Sequence, residues 1–189
     1  METFTGLKDF VNNPHYREQR KKSLRSLDMS TIDAPLIEII EGFTKLSYCF
    51  TLQSCYGHFV HKNQKDEKNT ESLPVSEKIT NVEYRIAYIA LCLEDSDAGR
   101  QLFNELSRVT VVDPDTIQYG CAEWFWKDYL NSYALQVEPE RYKTKDRCSV
   151  SYQEALHIEK TRNEFFAEIK RVITKRLKKS DRSSRTSLS

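Results

Sequence analysis

Glycine and proline are scarce in this chain, five of each in 189 residues, and that scarcity excludes collagen-like, mucin-like and glycine-rich architectures. No apolar run approaches the roughly 20 residues that a membrane-spanning helix requires. Residues 1–13 carry Glu2, Lys8 and Asp9 and lack the continuous apolar stretch of a secretory signal. No CxxC pair occurs among Cys49, Cys55, Cys92, Cys121 and Cys148, and His15, His58, His61 and His157 do not fall at zinc-finger spacing, so no structural metal is expected. No GxGxxG follows any strand-like segment, which excludes a Rossmann-type phosphate loop. These absences lead to the expectation of a cytoplasmic protein with reduced cysteines and no membrane contact.

What is present argues for a packed core. Ten Tyr, nine Phe and two Trp are too many aromatics for a disordered chain, even at a mean hydropathy of −0.65. A chain of this length can bury roughly 70% of its extended surface, enough for one domain without disulfides. The net charge of +1 hides an asymmetry. Residues 170–189 hold eight Lys or Arg against Asp181, so that segment is +7 and the rest of the chain is −6. A basic end on an acidic body suits either a nucleic-acid contact or a solvated helix end and tail.

The periodicity predicts helices over 16–27, 36–43, 98–107 and about 151–179, the last with a mostly apolar stripe at 152, 155, 156, 159, 166, 169, 173 and 177. Strands are predicted over 48–52, at 59–61 as its hairpin partner, over 84–93 as one central strand, over 116–126 and over 131–139. The polar stretch 63–81 reads as a long loop, with disorder the expected state, and 180–189 as a basic disordered tail. The order gives a single α+β domain over 1–179, with a largely antiparallel sheet and helices packed on one side. A helix followed by two strands occurs in each half, which allows a loose internal duplication.

The segment Phe50-Thr51-Leu52-Gln53-Ser54-Cys55-Tyr56-Gly57-His58 concentrates hydroxyls, a thiol and backbone N–H groups at one place. Gly57 permits a positive φ, and consecutive N–H groups in such a turn make a concavity for an anion or carboxylate. His58 stands where it could donate to a ligand or activate the Cys55 thiol. The alternative is a tight hairpin whose polar groups satisfy one another.

Here the chain resembles the wybutosine-synthesising methyltransferase family, the enzymes of the third named step in making that hypermodified tRNA guanosine. Thr51, Ser54, Cys55 and Gly57 match the family's Thr-Ser-Ser-Cys-Ser-Gly-Arg element, while Gln53 and Tyr56 each replace a Ser and His58 stands in place of the Arg. The order of the surroundings agrees over residues 17–140, although Ile89 occupies the place where the family usually has a His before Cys92. The resemblance implies S-adenosylmethionine as cofactor, held near Thr51, Ser54, Cys55, Gly57 and His58. It also implies methyl transfer to tRNA or another nucleoside-containing substrate, with the basic helix at 16–27 and the basic C-terminal segment on the phosphates.

A second cluster, Gln118-Tyr119-Gly120-Cys121-Ala122-Glu123-Trp124-Phe125-Trp126, is the expected base-binding surface through Tyr119, Gly120, Glu123, Trp124 and Trp126. In an extended strand Gly120, Ala122, Trp124 and Trp126 share a face, giving either a stacking platform with room above the glycine or an apolar face under the last helix. Glu123, beside three aromatics, is a candidate general base if buried. Glu138 and Glu140 are either cation ligands or a solvated strand end. The competing functional class is a non-catalytic ligand-binding or protein-interaction module.

Overall fold

The computed structural model describes residues 4–75, 78–139 and 146–186, with side chains as far as 179. It shows an α+β fold with two antiparallel sheets. In chain order the elements are β1 (Phe4–Thr5), α1 (Tyr16–Ser26), α2 (Ile37–Thr44), β2 (Cys49–Cys55), β3 (His58–Val60), β4 (Asn81–Arg85) and β5 (Ala87–Leu93). Then follow α3 (Asp97–Ser107), β6 (Ile117–Ala122), α4 (Glu123–Asp128), β7 (Ser132–Val137), β8 (Arg147–Ser151) and α5 (Tyr152–Thr186). The larger sheet has the order β1-β6-β7-β5-β2 and the smaller one β3-β4-β8. No described helix is long and apolar enough to cross a membrane.

The two sheets grow from a ribbon that bends. β2 pairs with β5 and β3 pairs with β4, so the predicted hairpin between β2 and β3 does not form; both chains cross from one sheet to the other. The first crosses at Tyr56 and Gly57, where Gly57 has φ of 87°. The second crosses at Ile86, which splits the single strand predicted over 84–93 into β4 and β5. The crossings pack together: a Cβ on Gly57 would lie 2.7 Å from that of Ala87. Tyr84 pins the second crossing, its hydroxyl donating to Val137 O at 2.8 Å and accepting from Ala87 N–H at 2.9 Å.

One face of the larger sheet carries the main core. Ile89, Leu91 and Leu93 of β5 and Tyr133, Leu135 and Val137 of β7 alternate onto it and meet α2, α3 and α5. Along α5 the buried positions are Ala155, Ile158, Thr161, Arg162, Phe165, Phe166, Ile169, Ile173 and Arg176. This stripe is rotated from the predicted one, because Arg162 faces inward and Glu159 lies at its margin. Arg162 is 1% exposed. Its Nη1 donates to Gly57 O at 2.9 Å, its guanidinium lies 4.2 Å from the Tyr56 ring centroid and 5.1 Å from that of Phe59, and Nη2 stands 3.6 Å from a Glu159 carboxylate oxygen.

The polar loop predicted over 63–81 is irregular but not loose where described. Leu73 and Ile79 are buried, and Leu73 N–H donates to the same Glu159 oxygen at 2.9 Å. β1 and β8 carry too little pattern to be predicted. The strand predicted over 116–126 stops at Ala122 and gives way to α4. The helical backbone of α5 continues through 180–186, within the stretch expected to be a disordered tail.

A buried cation whose partners are removed or missing is costly. Arg162→Ala leaves Gly57 O without its donor and Glu159 without its cation, and empties the space between two rings. The expected loss is about 3 kcal/mol of unfolding free energy in urea titrations, whereas Arg171→Ala, exposed on the same helix, is expected to stay within about 0.5 kcal/mol of the parent.

Candidate functional site

The second face of the larger sheet is only partly covered. α1 closes one part, where Tyr16 packs on Phe50 and Cys92, and α4 another, where Phe125 packs on Ala90 and Ala134. Between them lies a cleft of about 760 Å³. Small side chains make room for it: Ala134 and Ala122 lie in its lining, with Ala90 beneath Phe125. Phe4, Trp124 and Phe125 form an aromatic end, and the last turn of α1 with the segment after it forms a polar wall that carries the hydroxyls of Ser23, Ser26 and Thr31 and the carboxylate of Asp28. Toward the crossings the lining becomes polar and charged, with Tyr88, Gln136, Glu138, Arg85 and Asp146.

β2 forms the edge facing α1. The register shifts between Thr51 and Gln53, a bulge at Leu52. Thr51, Leu52, Gln53 and Ser54 consequently all reach the lining, where a regular strand would turn every second residue away. Ser23 Oγ donates to Thr51 O at 3.1 Å, fastening α1 to this irregular stretch. Tyr88 OH donates to Gln53 Oε1 at 3.2 Å, and Gln136 Nε2 to Glu138 Oε2 at 2.8 Å. Glu138 is 1% exposed, so it is a buried strand end and not the solvated one that the sequence allowed. Glu140 lies outside the described residues. The Trp124 indole N–H is buried and has no acceptor among the described residues.

Only part of the predicted motif reaches this space. Thr51 and Ser54 do. Cys55, Gly57 and His58 are buried behind it, because β2 runs on through Cys55 and the turn is confined to Tyr56 and Gly57. Gly57 serves the crossing and its carbonyl serves Arg162.

Asp33, Cys55 and His58 bring a carboxylate oxygen, a sulfur and a ring nitrogen within 4.8 Å of one another, a spacing that would suit a metal. The hydrogen bonding makes an ion pair instead. His58 Nδ1 faces Asn69 O at 3.1 Å and Nε2 faces Asp33 Oδ2 at 3.3 Å. Both are acceptors only, so each ring nitrogen must donate, and no lone pair is left for a metal or for a proton taken from Cys55. Burial opposes the charged ring, but the hydrogen bond to Asp33 and the contact with Cys55 outweigh it and push the His58 pKa up to about 10. Burial likewise opposes ionised Asp33, and the bonds from His58 and from Tyr56 N–H, at 2.7 Å, hold its carboxyl below the usual range. The pair clamps the 28–36 segment, one wall of the cleft, onto the first crossing.

The second predicted cluster is dispersed. Of its five residues only Trp124 lines the cleft. The space above Gly120 is filled by β1: a Cβ there would stand 2.4 Å from Thr5 O and 2.8 Å from the Phe4 ring. Tyr119 is on the helix-covered face, packed against Phe103, where burial pushes its phenol up. Trp126 contacts Tyr133 and lies under Lys8 Nζ, 5.1 Å from the ring centroid. Glu123 is ion-paired with Lys8 at 2.8 Å, and that bond holds its carboxyl below the usual range, opposite to what a general base requires. The shared strand face on which the cluster depended ends where α4 begins. Arg85, Tyr88 and Gln136, which sequence reasoning passed over, enter through pairing alone, since β5 sets Tyr88 opposite Gln136.

The chain matches no protein-family model and no curated protein. Among solved structures it is similar to the PH1069 protein from Pyrococcus horikoshii, at 12% identity over 85% of this chain and 93% of that one, with a TM-score of 0.48. It is also similar to a hypothetical protein from Aeropyrum pernix, at 12% identity over 75% of this chain and 98% of that one, with a TM-score of 0.40.

The ion pair sets a pH dependence. The raised His58 pKa means its contribution is fully present below the unfolded value of 6.5 and is lost as pH rises through about 10. The lowered Asp33 carboxyl contributes above its unfolded value of 3.8 and loses that contribution in more acid solution. Urea denaturation of the parent and of His58→Gln is therefore expected to differ most between about pH 4 and 6.5 and to converge as pH approaches 10. A difference that does not change with pH would show that His58 is neutral in the fold.

Proposed function

We propose that the protein binds S-adenosylmethionine in this cleft and transfers its methyl group to a base of tRNA or another nucleoside-containing substrate. The observation that carries the proposal is a coincidence of position. Thr51 and Ser54, which match the wybutosine-synthesis motif, stand on the bulged strand that walls a cleft of about 760 Å³ with an aromatic end. A purine stacks favourably on such rings, at about 1–3 kcal/mol per base. In the transfer the bond from methyl carbon to sulfonium sulfur breaks as the bond to the base nitrogen or oxygen forms. The neutral thioether leaves, and the acceptor's proton passes to a carboxylate or to solvent. The cleft's carboxylates are Asp28, Glu138 and Asp146.

The location of exposed cations supports an RNA substrate. Arg17, Lys21, Lys22 and Arg25 are exposed on α1, whose C-terminal end borders the cleft, and none has an ion-pair partner among the described residues. The larger basic surface on α5 is partly neutralised, since Lys170, Arg171 and Lys175 pair with Glu38, Glu168 and Glu105. The helix beside the cleft is therefore the better phosphate contact.

One observation favours a second reading, a binding module without transfer: His58 is committed to Asp33 and no cysteine lines the cleft. Two measurements separate the readings. A thermal-shift titration with S-adenosylmethionine at about a hundred times its dissociation constant is expected to add about 2.7 kcal/mol, a shift of several degrees, and Trp124→Ala is expected to weaken binding about tenfold. Incubation with labelled S-adenosylmethionine and bulk tRNA is expected to label the RNA. Binding without labelling selects the module, and no shift at millimolar ligand overturns both.

A further inference from the structure

The cleft has a direction along its strands. Its aromatic end sits over the Ala90–Ala134 row, and its charged end lies past the Tyr88–Gln136 row, where β5 begins and β7 ends. Four residues separate Ala90 from Ile86, roughly 13 Å of extended strand, so the two ends are distinct subsites. Arg85 supplies the positive charge at the polar end, which it shares with the carboxylates of Glu138 and Asp146. It is exposed in the cleft lining, and its side chain makes no hydrogen bond or ion pair among the described residues. Its strand neighbours in register are His58 on β3 and Arg147 on β8, both cationic. Arg147 is compensated by Glu67 at 2.7 Å and Glu83 at 3.2 Å, whereas Arg85 is left opposite a like charge, an arrangement that costs stability. Asp33 and Glu67, the two carboxylates that feel the charge of Arg85, are engaged by His58 and by Arg147.

From this arrangement we infer that Arg85 is the anion-binding residue of the site and holds the carboxylate of the ligand's amino-acid tail, with the purine at the Trp124 and Phe4 end. A planar guanidinium makes two parallel bonds to a carboxylate, which fixes the tail's orientation as well as its charge. This direction places the sulfur, between purine and tail, over the middle of the cleft beside Tyr88 and Gln53. The acceptor base would enter there.

The inference rests on the adenosyl reading of the cleft, and the test keeps the two apart. S-adenosylhomocysteine and 5′-methylthioadenosine are both neutral thioethers with the same nucleoside, and only the first carries the amino-acid tail. Isothermal titration of both ligands is made against the parent, Arg85→Gln and Trp124→Ala. Arg85→Gln is expected to weaken S-adenosylhomocysteine by about tenfold or more and 5′-methylthioadenosine by less than about twofold, while Trp124→Ala weakens both. The melting temperature of Arg85→Gln is expected not to fall, because the substitution relieves the opposition to Arg147. If Arg85→Gln affects both ligands alike or neither, the assignment of Arg85 is overturned while the adenosyl site stands. Failure of the parent to bind either ligand overturns the site itself.

Discussion

Arg162 stands where the two sheets part. Its guanidinium takes the carbonyl that Gly57 presents by adopting a positive φ, lies against Tyr56 and Phe59, and approaches Glu159, which also holds the 63–75 segment through Leu73. A cation removed from water this completely costs several kcal/mol unless its partners are in place. The crossing, the first turns of α5 and the segment that packs beside them must therefore form together. Tyr84 makes the matching connection on the other strand of the ribbon, and its ring stacks on Phe59 with centroids 5.0 Å apart. The bend of the ribbon is thus set by a charge and a phenol, both inside the core.

The cleft is a consequence of that bend. Once β3 and β4 turn away, β2 is left as an edge of the larger sheet beside α1, and its bulge at Leu52 opens the edge toward the sheet's second face. The polar residues of the turn then divide by role. His58 and Asp33 form an internal ion pair that fixes the wall, while Thr51, Gln53 and Ser54 face the space it encloses. The residues of one short motif are spread across two layers, one that fastens the cleft wall and one that lines the cleft.

The α+β class and most helices were legible because their signals are local: the capping Ser96, whose hydroxyl accepts from Gly99 N–H, and the apolar spacing of Ile39, Ile40 and Phe43. What was illegible depends on pairing between distant residues. Tyr84 to Leu93 is apolar enough to read as one central strand, and nothing local shows that Ile86 changes sheets. Trp124 and Trp126 follow a strand pattern by alternation, yet α4 takes them in different directions, one into the cleft and one beneath Lys8. Arg162 reads as an ordinary helix cation among polar neighbours, since its burial is set by the crossing it meets. The missed site residues Arg85, Tyr88 and Gln136 are likewise brought together by strand register, which leaves no mark in spacing along the chain.

The central claim is that this cleft, and not the basic surface of α5 or the Asp33–Cys55–His58 cluster, is the ligand site. Amide chemical-shift mapping of the labelled protein with saturating S-adenosylhomocysteine tests it most directly. The account predicts perturbations concentrated at residues 51–54, 85–90, 122–125 and 134–138, with those of 167–179 unmoved. Shifts confined to α5, or centred on the 28–36 segment and His58 without the sheet face, would contradict it.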